Sequence, residues 1–203
     1  MAFSPDGVRA AYDRVRDEIG PDVRIVVATK YVSVEELQVL ADAGIDTVGE
    51  NRLQDLVAKH GRYADVFGWH FIGHLQSRKA RDVSALVELV HSLDSLSAAK
   101  RLTAPALVEV NLSGEETKSG VAPAELGTFM GEARALGVEV RGLMTMPPLA
   151  DDPEASRPYF RRLRELAEEH GLPELSMGTS QDYRVAAEEG ATLVRVGSRL
   201  FGR

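Results

Sequence analysis

Short apolar, β-branched segments recur along this chain, and a stretch of helical periodicity follows each of them except the last. The first, at 24–30, has an uncharged interior, as expected for a strand buried on both faces of a parallel sheet. Regular alternation of strands and helices predicts a parallel sheet with right-handed crossovers, and eight such units favour a closed barrel over an open sheet. The predicted strands are 24–30, 45–49, 69–73, 87–92, 105–111, 139–146, 174–178 and 192–197.

The chain is predicted to form one domain. Its 203 residues are enough for one sizeable core, and no linker, composition shift or internal repeat divides them. We therefore expect an α/β fold, a single-domain (β/α)8 TIM-like barrel over residues 1–203, with an extra helix before the first strand.

That N-terminal helix has a defined start and a regular apolar face. Ser4 is a suitable N-cap, and Pro5 suits the first helical position. Because little more than one helical turn can follow residue 197, we expect this helix to pack beside the last strand in place of an eighth outer helix. Its apolar residues are Val8, Ala11, Tyr12, Val15 and Ile19.

Charge and composition exclude several classes of protein. The formal net charge is −7 and the pI is about 5.3, which argues against a nucleic-acid-binding surface. The chain has no cysteine, so thiol catalysis and disulfides are excluded. No apolar run approaches the roughly 18 residues of a membrane span, and no signal-peptide core is present. A cytoplasmic protein with no membrane partner is expected.

Lys30 stands at the end of the first predicted strand. Ligands of parallel α/β folds bind at the carboxyl ends of the strands. A partly desolvated lysine amine there can lose its proton and attack a carbonyl carbon. The alternative is a lysine that caps the strand and extends into water.

Two glycine-containing turns, at 177–182 and 195–198, follow the seventh and eighth predicted strands. Barrel phosphate sites are commonly built from the loops in these positions. A phosphate there and Lys30 would bracket a small phosphorylated aldehyde, although each turn by itself is also explained as an ordinary helix N-cap.

Other polar residues have plainer explanations. Asp94 and Asp182 are candidate acids, but helix N-caps explain both positions. His70 and His74 lie four residues apart with a strand end between them, so we expect core or loop histidines and no metal site.

Seven motifs in sequence order resemble the pyridoxal 5′-phosphate homeostasis protein family. One departure is Thr179, where the family pattern has methionine. The resemblance runs from about residue 22 onward, and it implies the barrel of alanine racemase and of fold-type III decarboxylases without their second, β-rich domain. The motifs are VATK (27–30), GENRLQD (49–55), HFIGHLQSRK (70–79), VNLSGEETKSG (110–120), GLMTM (142–146), LSMGTSQD (175–182) and VRVGSRLFG (194–202).

The resemblance also implies the roles of individual residues. Lys30 would carry pyridoxal 5′-phosphate as a Schiff base, and Asn51 would lie near the ring. Arg195 would face the pyridine nitrogen and weaken the ring as an electron sink; its alternative is a strand-end salt bridge. Ser180, Gly197 and Ser198 would hold the phosphate.

We therefore expect a protein that binds, carries and buffers pyridoxal 5′-phosphate in vitamin B6 homeostasis, and that is not an enzyme. Racemisation needs a base on each face of the substrate, and the resemblance implies that racemases take the second base from the domain missing here. The recipients would be pyridoxal-phosphate-dependent apoenzymes, and the protein would be a monomer. The alternatives are a pyridoxal-phosphate-dependent amino-acid racemase and an aldolase-like barrel in which Lys30 attacks a sugar phosphate.

Overall fold

The computed structural model describes residues 3–115 and 118–202, which form a closed barrel of eight parallel strands. Each strand pairs with the next one along the chain, and the last pairs with the first. The strands are β1 (Arg24–Ala28), β2 (Thr47–Glu50), β3 (Gly68–Phe71), β4 (Leu89–Leu93), β5 (Ala106–Glu109), β6 (Val140–Met144), β7 (Glu174–Thr179) and β8 (Leu193–Val196). The predicted fold class is confirmed.

Helices surround the barrel, and one of them precedes β1. They are α1 (Pro5–Ile19), α2 (Leu37–Asp42), α3 (Leu53–Tyr63), α4 (Ala80–Ser84), α5 (Leu96–Ala99), α6 (Leu126–Ala135), α7 (Arg157–Glu169), α8 (Tyr183–Glu188) and α9 (Ser198–Phe201). Within residues 3–115 and 118–202, no helix combines the length and the apolar character needed to cross a bilayer.

Helix α1 begins as its sequence predicts, because the Gly7 N–H donates to Ser4 Oγ at 3.1 Å and Pro5 is the first helical residue. Its apolar face is buried against α2, α8 and α9. The helix that follows β8, α9, has four residues. Helix α1 fills the space between α8 and α2 that a longer helix after β8 would occupy.

Strand pairing at the closure of the barrel joins β1 and β8 over four residues each, from Arg24 opposite Leu193 to Val27 opposite Val196. Buried residues on either side of the sheet form two cores. The larger core lies between the strands and the helices. The smaller one, inside the barrel, contains Val26, Leu89, Leu107, Met144 and Leu193.

Predicted and observed strands agree to within three residues at each end. One difference affects the candidate site. The sequence suggests that the first strand continues to Lys30, whereas β1 ends at Ala28 and Lys30 lies in the turn that follows. The single-domain extent of 1–203 includes residues outside the described part of the chain and stays a prediction.

Candidate functional site

A cavity of about 710 Å³ opens at the carboxyl ends of the strands. Its volume is in the range of sites that hold a small ligand or cofactor. All six residues expected to bind the cofactor line this one cavity, although they come from widely separated parts of the chain. They are Lys30, Asn51, Ser180, Arg195, Gly197 and Ser198.

Lys30 sits in a tight turn on the β1 side of the cavity. The Val32 N–H donates to the Thr29 carbonyl at 2.8 Å, which places Lys30 and Tyr31 at the two central positions of the turn. Lys30 Nζ lies 4.5 Å from the centroid of the Tyr31 ring. The Lys30 side chain is exposed, contrary to the expectation of a partly desolvated amine, because it stands two residues beyond the end of the strand.

Asn51 follows β2 and lies opposite the Lys30 turn, since Ala28 of β1 pairs with Gly49 of β2. Its side-chain Oδ1 is buried and accepts no hydrogen bond from any described residue. A buried amide oxygen without a partner is costly. Its position on the cavity wall therefore identifies an acceptor that a ligand can satisfy.

The phosphate turns expected after β7 and β8 are in direct contact. The Gly197 N–H donates to Ser180 Oγ at 3.1 Å. Ser180 is held in place by the turn before α8, in which Asp182 Oδ1 accepts from the Thr179 N–H at 2.7 Å. Asp182 is the residue before α8, but its side chain binds Thr179 and Ser156 and makes no side-chain capping bond to the helix.

Gly178 permits this turn. It lies where the β7–β8 register shifts between Ser176 and Thr179, and its φ is 90°. A Cβ atom at Gly178 would come within 2.5 Å of the Ala186 Cβ on α8. Both the positive φ and the close approach of α8 therefore require glycine.

Arg195 forms part of the cavity floor from within β8. Its guanidinium donates to the Ser176 carbonyl at 2.9 Å and to the Thr145 carbonyl at 3.1 Å, and it contacts the Met146 sulfur. Burial lowers the pKa of Arg195 to about 10, so the group is still a cation at neutral pH. The alternative of a strand-end salt bridge is not what the described residues show, because Arg195 pairs with no carboxylate among them.

A chain of buried polar groups extends from Arg195 into the barrel. Arg195 donates to Ser176 Oγ, which lies 2.7 Å from His91 Nδ1, and His91 Nε2 lies 2.9 Å from His70 Nδ1. Burial lowers the pKa of His70 to about 4 and that of His91 well below its ordinary value. Both imidazoles are therefore neutral at pH 7, and His70 is the hydrogen-bonded core histidine expected from the sequence.

The other side of the mouth carries carboxylates. Asp94 Oδ2 lies 3.7 Å from His74 Nδ1, and Ser119 Oγ donates to Glu109 Oε1 at 2.6 Å. Burial raises the pKa of both Asp94 and Glu109. Asp94 is not the N-cap of α5, because Ser95 stands between it and the helix.

Sequence reasoning did not find the apolar walls of the cavity or the polar groups behind Arg195. The walls come from residues whose types are common in cores, so their composition carries no signal. They include Ile72, Leu149 and Phe201. His91 and Ser176 stand on strands that are distant in sequence, and periodicity alone does not show which residues face each other across a barrel.

The site therefore combines a primary amine, a buried cation, an unpaired amide oxygen and a serine–glycine turn around partly apolar walls. An amine can bond covalently to an aldehyde, backbone and hydroxyl donors suit a phosphate, and apolar walls suit a flat ring.

Comparisons with known proteins find relatives that share this fold and that belong to one family. The family model of the alanine racemase N-terminal domain matches residues 4–203. A pyridoxal phosphate homeostasis protein of Aquifex aeolicus is 42% identical over 196 residues, covering 88% of this chain and 86% of that protein. One from Deinococcus radiodurans is 41% identical over 207 residues, which cover 96% of each.

Solved structures give the same result. PipY of Synechococcus elongatus with bound pyridoxal phosphate has a TM-score of 0.86 and 31% identity, over 96% of this chain and 100% of that chain. PipY without the cofactor has a TM-score of 0.87 and 32% identity. A lysine/ornithine decarboxylase of Vibrio vulnificus has a TM-score of 0.71, but at 18% identity it shows the shared barrel fold alone.

Proposed function

Because the chain belongs to the pyridoxal phosphate homeostasis protein family, we propose that it binds pyridoxal 5′-phosphate at the mouth of its barrel and holds it as a transferable reserve in vitamin B6 homeostasis. One observation carries this proposal. The six residues to which the family pattern assigns the cofactor, from four regions of the chain, line a single cavity of about 710 Å³.

The residues present fit the cofactor. The Asn51 oxygen, buried without a partner, offers an acceptor beside the ring, and Arg195 offers a cation to the ring nitrogen. The Gly197 N–H already donates to Ser180 Oγ, so the two groups lie at one point, where both can contact a phosphate. When bound, the cofactor would supply an aldehyde, the group to which the Lys30 amine can bond covalently with loss of water.

Holding the cofactor requires less of the protein than catalysis does. The exposed Lys30 amine allows both attachment and release, because exchange with another amine needs access to the bond. The recipients in this proposal are pyridoxal-phosphate-dependent apoenzymes, and the carrier is a monomer. Among the described residues that line the cavity there is no carboxylate and no histidine, and the one tyrosine, Tyr31, lies in the same turn as Lys30. A base on the opposite face of a substrate is therefore not evident, and the racemase alternative is not favoured.

Removing the amine tests the proposal. Lys30→Ala should abolish the visible absorbance of the covalent adduct and its trapping by borohydride, while the circular dichroism spectrum stays that of wild type. Lys100→Ala, at an exposed lysine away from the cavity, is the matched control and should keep both signals. Peptide mapping that finds the borohydride label on another lysine would exclude Lys30 as the attachment site.

A further inference from the structure

A buried ion pair lies directly beneath the Lys30 turn. Lys59 of α3 contacts Glu50 at the end of β2, and their side chains are 5% and 0% exposed. Neither residue lines the cavity. Burying two charges carries a desolvation cost that their attraction and additional hydrogen bonds must offset. The other partners of this pair therefore indicate what it does.

Lys59 binds the first residue of the turn that carries Lys30. Its Nζ donates to the Thr29 carbonyl at 2.8 Å. That same carbonyl accepts the Val32 N–H that closes the turn. The ammonium group thus fixes the peptide group joining Thr29 to Lys30.

Glu50 extends the same network to the other side of the cavity. Its Oε1 accepts the Thr29 hydroxyl at 2.6 Å, and its Oε2 accepts the Asn51 N–H at 3.3 Å. One carboxylate therefore joins the backbone that carries Lys30 to the backbone that carries Asn51. These hydrogen bonds involve backbone atoms and the Thr29 hydroxyl, and none involves the Lys30 side chain, which is exposed.

We propose that Lys59 and Glu50 are positioning residues, which hold the Thr29–Val32 turn so that Lys30 faces the cofactor's aldehyde. The inference rests on the proposed function. An exposed lysine has a long, flexible side chain, and a fixed backbone restricts the volume that its amine must search. The pair thereby raises the rate and the stability of covalent attachment without contacting the cofactor.

Two variants separate positioning from folding. Lys59→Met removes the donor to Thr29 but leaves Glu50 as an unpaired buried charge. The double variant Lys59→Met/Glu50→Gln leaves no buried charge, and the one oxygen of the side-chain amide that replaces the carboxylate can still accept from the Thr29 hydroxyl. The matched control is Leu56→Ala, fully buried on the same helix and with no hydrogen bond to the turn. It loosens α3 without touching the Lys59 network.

The readout compares two ligands. Pyridoxal 5′-phosphate can bond covalently to Lys30, whereas pyridoxine 5′-phosphate has an alcohol in place of the aldehyde and cannot. In the double variant we expect the rate of adduct formation and the affinity for pyridoxal 5′-phosphate to fall at least tenfold. Affinity of the double variant for pyridoxine 5′-phosphate should stay within about twofold of wild type. In Leu56→Ala, the affinities for both ligands should stay within the same range.

Two results would overturn the inference: equal weakening of the two ligands in the double variant, or no change in either. These outcomes are distinct from failure of the proposed function. If wild-type protein forms no covalent adduct, or if Lys30→Ala forms one as readily, the proposed function fails. If the wild type forms an adduct that Lys30→Ala cannot, but the double variant matches the wild type, the positioning role alone fails.

Discussion

At the scale of single residues, the contact between Ser180 and Gly197 is the proposed phosphate site. The net charge of −7 opposes an anion at long range, so the attraction must come from donors close to the phosphate. Ser180 already accepts the Gly197 N–H, so the turns after β7 and β8 present their donors at one point.

Ser180→Ala should therefore weaken pyridoxal 5′-phosphate more than unphosphorylated pyridoxal. A lost hydrogen bond to a charged group costs roughly 1.5–3 kcal/mol, which corresponds to about one to two decades in affinity. Absorbance titrations with the two ligands measure the difference. Ser97→Ala, at an exposed serine outside the cavity, is the control and should bind both as wild type does. Equal weakening of both ligands by Ser180→Ala would show that this serine does not contact the phosphate.

At the scale of secondary-structure elements, α1 contributes to the barrel although it carries no cavity residue. It packs against α2, α8 and α9. Just before the helix, the Phe3 ring contacts the Phe201 ring, with 4.9 Å between their centroids. Phe201 in turn lines the cavity. Glu18 of α1 also binds Tyr183 and Arg184 of α8. The helix thus supports the end of the barrel where β8 and β1 meet.

Val8→Ala tests this support, because Val8 is fully buried on the inner face of α1. Losing two buried methyl groups and leaving a cavity should lower the free energy of unfolding by about 2 kcal/mol. Urea denaturation measures this change. Arg14→Ala, on the exposed face of the same helix, should stay within about 0.5 kcal/mol of wild type. A similar effect for both variants would mean that α1 packs loosely.

Sequence patterns predicted the elements better than their ends. Apolar runs and capping residues located the eight strands and the start of α1, because burial and hydrogen-bonding rules act locally. The same local rules describe Ser33 and Glu36 before α2, where each side chain accepts the other residue's backbone N–H, at 3.2 and 2.8 Å respectively. The turn at Lys30 was missed, because it depends on Lys59 and Glu50, which are distant in sequence.

The candidate site shows the same division. Motifs brought six residues to one cavity, since strand ends in a barrel share one face. The chain from Arg195 through Ser176 and His91 to His70 was not predicted. It depends on the shift in register between β7 and β8 and on contacts across the barrel interior, and neither leaves a periodic pattern.

At the scale of the whole molecule, the neutral histidines make stability depend on pH. The folded protein holds the pKa of His70 at about 4, below its ordinary value of 6.5, so the unfolded chain takes up a proton first as pH falls. Stability from this group is complete above about pH 6.5 and is lost between there and about pH 4, at about 1.4 kcal/mol per pH unit. His91 acts in the same direction.

His70→Gln should therefore reduce the slope of unfolding free energy against pH between about 6 and 4.5 by about 1.4 kcal/mol per unit. Urea denaturation at a series of pH values gives this slope for wild type and variant. The two curves should run parallel above pH 7, where the neutral imidazole is the form present in both folded and unfolded chains. An unchanged slope in the variant would mean that His70 takes up its proton over the same pH range in the folded and the unfolded protein.

The absence of an evident second base among the described cavity residues bears on turnover. We expect amino acids to perturb the spectrum of the bound cofactor, because exchange at Lys30 needs access alone, but to show little or no racemisation. Incubation with L-alanine in deuterated water, followed by chiral analysis, measures this. Rapid appearance of the D-enantiomer that disappears in Lys30→Ala would replace the carrier proposal with a racemase.

The pairing of β8 with β1 also sets when the barrel can close during synthesis. Residues 24–27 leave the ribosome long before residues 193–196, so β1 keeps an unpaired edge until β8 has emerged. Lys30 and Gly197 line the cavity from opposite sides of this pairing, and the cavity exists only once it forms. A ligand that contacts both residues holds the first and last strands together. At a free concentration of a hundred times its Kd, such a ligand stabilises the closed barrel by about 2.7 kcal/mol. The supply of such a ligand and the completion of folding are therefore linked in newly made protein.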